Sequence, residues 1–119
     1  MMQRFLLLAA LLLVNACTTI RNDPGGHVIN YAINAQKAKF VRFDGKCMSA
    51  CTLYLSVRNT CITPRASFWF HKATHPVATQ FLINHYPQWV RDWIARKGGL
   101  TSQWLVMPHS HTSKHMRAC

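Results

Sequence analysis

Three places in this chain carry the makings of nucleophilic chemistry, and they come in a meaningful order. Asp23-Pro24-Gly25-Gly26 stands before a helix-like stretch, Ser49 opens an apolar run after a short strand, and His71 closes an aromatic strand-like segment. A serine at a helix N-terminus faces unpaired backbone N–H groups and the positive end of the helix dipole. An attacking alkoxide and a later oxyanion both gain from that field. A histidine held at a strand end can take the serine proton. Glycines, having no Cβ, let bare backbone N–H groups approach a substrate. Taken singly, each residue has a plainer role: Ser49 as a helix N-cap, His71 as a packed ring, Gly25-Gly26 as a turn.

The elements that must position them follow from periodicity. Residues 28–37 set Val28, Tyr31, Ala32 and Ala35 on one helical face. Residues 39–43 and 67–70 are short, aromatic and β-branched, which predicts strands, and 61–63 predicts a third. The apolar run 47–57 predicts one buried helix. Residues 80–97 carry a helical pattern in which Trp89 and Trp93 have core spacing, with Pro87 as a kink or a fresh start and Gly98-Gly99 as the stop. Residues 17–22 read as a polar lead-in, 23–107 as one domain, and 108–119 as a polar, His-rich tail tethered by Cys119. Short strands alternating with helices predict an α/β domain with a small, largely parallel sheet and flanking helices.

Charge narrows the chemistry. Fourteen Lys and Arg face three acids, for a net charge of +11 over 119 residues. The acids are Asp23, Asp44 and Asp92, and there is no Glu. Glycosidase chemistry would need two carboxylates from these three, and carboxylate-rich calcium or magnesium sites are disfavoured. The basic balance favours anionic surroundings. The cations are scattered, which predicts a solvated surface and no specific nucleic-acid readout. His109, His111 and His115 lack acidic or thiolate partners at ligand spacing, so no metal site is predicted, and no cofactor motif is present.

The N-terminus predicts export. Arg4, an apolar run over residues 5–14, and Asn15-Ala16 before Cys17 make a signal segment of residues 1–16. The run is shorter than the roughly twenty residues of a membrane-spanning helix. Val14-Asn15-Ala16-Cys17 also resembles a bacterial lipobox, which predicts acylation of Cys17 and a membrane attachment through it. The expected location is the periplasm or outer envelope. Cys47, Cys51, Cys61 and Cys119 then suit two disulfides. Cys47 and Cys51 lie about one helical turn apart around Ser49, which predicts that they bond outward, one to Cys61 and the other to Cys119.

Taken together, these stretches resemble the Clp protease proteolytic subunit and its relatives on the ClpP/crotonase fold. The matching segments are Asp23-Pro-Gly-Gly26, Cys47-Met-Ser-Ala-Cys51 and Cys61-Ile-Thr-Pro-Arg-Ala-Ser-Phe-Trp-Phe-His71. The chain is also similar to small bacterial envelope proteins related to Clp protease, through Cys47–Thr52, Phe70-His71, Tyr86–Ile94 and Gly98–Thr101. The resemblance implies a reduced ClpP/crotonase-like domain and a serine hydrolase acting on a peptide substrate. By position it makes Ser49 the nucleophile, His71 the general base, and the N–H groups of Gly26 and Ala50 the oxyanion hole. The family's third triad member is an Asp beyond a helical insertion that this chain lacks. Asp92 is the only carboxylate downstream of His71; Asn84, a backbone carbonyl or no third group at all are the alternatives. Two other classes fit the composition: a non-catalytic envelope protein that keeps the fold for binding or structure, and a basic lipoprotein acting on anionic membrane or cell-wall polymers.

Overall fold

The computed structural model describes residues 17–119; the predicted signal segment lies outside them. The chain forms an α/β domain as expected, but its strands divide between two three-stranded sheets where the sequence predicts one small sheet. The first has β1 (Cys17–Ile20), β2 (Phe40–Phe43) and β4 (Thr60–Ile62) in the order β1-β2-β4, all parallel. The second has β3 (Lys46–Met48), β5 (Ser67–Phe70) and β6 (Leu105–Met107) in the order β3-β5-β6. There β3 and β5 are parallel and β6 is antiparallel. Helix α1 (Val28–Lys37) crosses from β1 to β2, and a 3-10 helix (Ser49–Ser56) leads from β3 to β4. Helices α2 (Pro76–His85) and α3 (Gln88–Arg96) separate β5 from β6, and a short α4 (His109–Thr112) follows β6.

Apolar side chains explain why the sheets meet. Val41 and Phe43 alternate with Phe40 and Arg42 along β2 and are fully buried, as the period of two requires. Phe43 meets Phe68 of β5 edge to face, 4.8 Å between ring centres, and this contact joins the two sheets. Phe70 packs on Tyr86 and Trp93, which docks α2 and α3 on the second sheet. Pro87 separates those two helices, so the helical pattern of 80–97 is a fresh start after a first helix that begins earlier, at Pro76. His75 caps that first helix by accepting the Val77 N–H, a cap seldom signalled by histidine.

Four further expectations need correction. The lead-in 17–22 contains β1, which pairs with β2 from Cys17 opposite Phe40 to Ile20 opposite Phe43. As an edge strand it needs few apolar residues, which is why its polar sequence hid it. The run 47–57 is not one helix: Lys46–Met48 is strand, and the helix from Ser49 winds with 3-10 geometry. Thr52 and Ser56 each donate a hydroxyl hydrogen bond to the carbonyl three residues back, matching that tighter pitch. The tail is folded: His111 and His115 pack around Trp89 and Trp93, with His115 stacked on Trp89 at 4.6 Å.

The disulfide pairing is the fourth. Cys47 bonds to Cys51 and Cys61 bonds to Cys119, not outward from the Ser49 turn. Ser49 has φ +54, so the chain folds back on itself there and brings the Cα atoms of Cys47 and Cys51 to 5.3 Å. The C-terminus adds a short bridge to β4, with Ile62 N–H donating to Arg117 and Cys119 N–H donating to Ile62, and this sets Cys119 beside Cys61. Two disulfides mark a chain that matures in a non-reducing compartment. Among the described residues, no helix is long and apolar enough to cross a membrane.

Candidate active site

Ser49 sits on the sharp turn between β3 and the 3-10 helix, in a left-handed conformation that costs a non-glycine residue about 1–2 kcal/mol. Its surroundings over-determine that conformation. Asp23 runs beside β3 as a short parallel bridge: its N–H donates to Lys46 at 2.7 Å, and Met48 N–H donates back to its carbonyl at 3.0 Å. The next residues bring Gly25 directly against the turn. A Cβ on Gly25, itself at φ +87, would lie 2.6 Å from the Met48 carbonyl oxygen, 2.9 Å from Ser49 Cβ and 3.2 Å from Ala50 N. Only glycine fits that approach. The Asp23 carboxylate braces the loop, accepting from Gly25 N–H at 2.9 Å and from the Tyr31 hydroxyl at 2.6 Å. Burial, then the Asp23 contact, push the Tyr31 hydroxyl pKa well above the usual tyrosine range.

A buried chain supports Ser49 from behind. Thr52 donates to the Ser49 carbonyl at 2.6 Å, and its oxygen meets the Tyr86 hydroxyl at 2.6 Å. A carbonyl can only accept, so the Thr52 proton is spent on Ser49 and Tyr86 is the donor to Thr52. Burial keeps Tyr86 protonated by raising its pKa above the normal range. Sequence reading missed this link, although a buried Thr and a buried Tyr each call for a partner.

His71 follows β5 and is half-buried. Its Nδ1 contacts the Lys72 carbonyl at 2.5 Å, which requires the proton on Nδ1, so that in the neutral ring Nε2 carries the lone pair. The ring packs on Trp104, 4.1 Å between centres, and Trp104 in turn meets Trp69 edge to face. Lys72 N–H donates to Thr101, which fixes the loop carrying Trp104 against the end of β5.

Ser49, His71 and Gly26 line one groove of about 580 Å³. Its remaining walls are mainly apolar, from Val28 and Ile29 on one side and Val77, Phe81 and Leu82 on the other. Ala50 is buried directly behind Ser49, and among the described residues neither its N–H nor that of Gly26 joins the backbone hydrogen bonds that link elements. Asp92 stands apart. It is exposed on α3, its carboxylate accepts from Gln88 at 2.7 Å, and no hydrogen bond joins it to His71. Asn84, exposed on α2, accepts from Gln80. Of the alternatives for orienting His71, the contact present is a backbone carbonyl. Cys17 opens β1, is exposed and takes no part in a disulfide. Among the described residues, no three His, Cys or Asp side chains cluster to hold a metal ion.

Compared with protein-family models, curated proteins and solved structures, the chain finds no match.

Proposed function

We propose that this protein is a secreted serine hydrolase with a reduced ClpP/crotonase-like fold, acting on peptide or related acyl substrates. One observation carries the reading: a serine held at φ +54 on a strand-to-helix turn shares an apolar groove with a histidine whose neutral ring carries its lone pair on Nε2. Backbone strain of this kind persists where neighbouring structure enforces it, and it gathers at functional sites.

The residues divide the work as follows. Ser49 Oγ attacks the substrate carbonyl carbon while its proton passes to His71 Nε2. The tetrahedral oxyanion is received by the N–H groups of Gly26 and Ala50. His71 returns the proton to the leaving amine, and water, deprotonated by the same ring, releases the acyl group from Ser49. No carboxylate backs His71; the Lys72 carbonyl sets its tautomer, and the Trp104 ring packs against the imidazole at a tilt. Loss of a triad carboxylate lowers turnover by on the order of 10⁴-fold, so slow turnover is expected. Residues 1–16 act as the export signal, and Cys17 is the acylated residue that attaches the mature chain to a membrane.

A fluorophosphonate probe tests the chemistry. The disulfide-bonded protein should be labelled slowly on Ser49, and both Ser49→Ala and His71→Ala should abolish labelling. An unlabelled but folded protein would leave a binding protein in which Ser49 merely begins a helix.

A further inference from the structure

Away from the groove, three guanidinium groups converge on a single carboxylate. Asp44 is buried, and both of its oxygens are occupied. Oδ1 accepts from Thr63 at 2.8 Å and from Arg65 Nε at 2.9 Å, with the Arg65 terminal nitrogen at 2.6 Å. Oδ2 takes Arg42 at 3.2 Å and faces Arg21 at 3.6 Å. The Arg21 and Arg65 side chains nonetheless remain 70% and 72% exposed. A guanidinium has five N–H donors, so most donors of this cluster are uncommitted.

Of these residues, Arg21, Arg65 and Asp44 line a second groove of about 570 Å³, together with Asn22, Lys46 and Ser67. Lys46 is held with its ammonium 4.9 Å over the Trp69 ring. In the groove lining, two guanidiniums against one carboxylate leave one positive charge, and Lys46 adds a second. The other two carboxylates of the chain are engaged elsewhere, Asp23 with Tyr31 and Gly25, Asp92 with Gln88. The surplus therefore has no side-chain counter-ion in the groove. Planar guanidinium forks match the oxygens of a phosphate in paired hydrogen bonds, which an ammonium cannot do.

We propose that this groove binds a phosphate oxyanion, free in solution or carried on a lipid headgroup. Arg21 and Arg65 are its ligands, and Asp44 is the buried counter-ion that holds their side chains in place. The Thr63 hydroxyl, followed by Arg65, keeps the Asp44 carboxyl down at about 2, so the clamp stays charged at any ordinary pH. This groove shares no lining residue with the Ser49 groove, so it stands independently of the hydrolase reading.

The test is binding of inorganic pyrophosphate by titration calorimetry, and sedimentation with phosphatidylcholine vesicles with and without phosphatidylglycerol, on the full disulfide-bonded chain. Arg21→Gln/Arg65→Gln should weaken whichever ligand binds by at least about tenfold. Lys37→Gln/Arg58→Gln removes the same charge from exposed positions outside this groove and should leave binding within about twofold. Pyrophosphate binding identifies a soluble source; binding only to phosphatidylglycerol vesicles identifies a headgroup. Equal losses in the two double variants would mean diffuse charge attraction, and no binding to either ligand would mean no site; each overturns the proposal.

Discussion

The two walls of the Ser49 groove are built to different standards. The serine wall is locked: Asp23 is bonded to β3 on both sides, Gly25 sits in backbone contact, Cys47 is bonded to Cys51, and Tyr86 and Thr52 reach the Ser49 carbonyl from the core. Residues 50–55 behind it are all buried. The histidine wall is lighter. His71 is half-buried, its partner is its neighbour's carbonyl, and the ring against it belongs to Trp104, which is 43% exposed. The strained, nucleophilic element is thus pre-organised by the fold, while the base is placed by contacts that face solvent. Changes on the serine side should disturb stability and reactivity together; changes on the histidine side should disturb reactivity alone.

The disulfides give the largest test. Cys61–Cys119 closes a sequence separation of 58, whereas Cys47–Cys51 closes only 4. On loop entropy, Cys61→Ala/Cys119→Ala should cost about 4 kcal/mol and Cys47→Ala/Cys51→Ala about 2 kcal/mol. The order of effects on Ser49 labelling should be the reverse, because only the shorter bond clasps the turn. Urea unfolding and probe labelling of the two variants check both orders. If the Cys61–Cys119 variant, while still folded, loses more labelling, the serine wall is not where pre-organisation resides.

Gly25 should come next. Gly25→Ala must place a methyl 2.6 Å from a backbone oxygen at φ +87, so both a clash and left-handed strain oppose it. About 3 kcal/mol of destabilisation is expected, with labelling lost in the fraction that remains folded. Gly99 has a similar φ of +90 but open space around it. Gly99→Ala should therefore cost only the strain, about 1 kcal/mol, and leave labelling intact. Equal costs in urea unfolding would show that the contact with Ser49 contributes nothing.

What the sequence disclosed divides along the same line. Helix α1, strand β5 and the alternation of parallel strands were legible because apolar spacing reports burial directly. Ser49, His71 and Gly26 were legible as residue types at element junctions, and they do line one groove. Strand β1 was hidden because an edge strand can be polar, and the 3-10 helix because a run buried on all sides has no period to read. The disulfide pairing depended on a positive φ at Ser49, a backbone choice that composition does not encode. Long-range partners were the least legible. Nothing near Thr52 names Tyr86, and nothing near His71 names Trp104.

The smallest expected effects lie on the histidine wall. Trp104→Leu removes an exposed aromatic ring from beside His71, and exposed contacts between an aromatic ring and a cation are worth at most about 0.5–1 kcal/mol. Labelling of Ser49 should slow about two- to fivefold, while urea stability changes little. Asp92→Asn should do less still. Sequence alone nominates Asp92 to orient His71, since no other carboxylate follows it. Yet its oxygen is taken by Gln88 on the same helix, an exposed pairing that an Asn oxygen also satisfies, and the His71 Nδ1 proton is already given to Lys72. The substitution should leave labelling unchanged and stability within about 0.5 kcal/mol. If Asp92→Asn instead slows labelling as much as Trp104→Leu, helix α3 reaches the histidine through a contact absent here, and the two walls are more alike than their geometry implies.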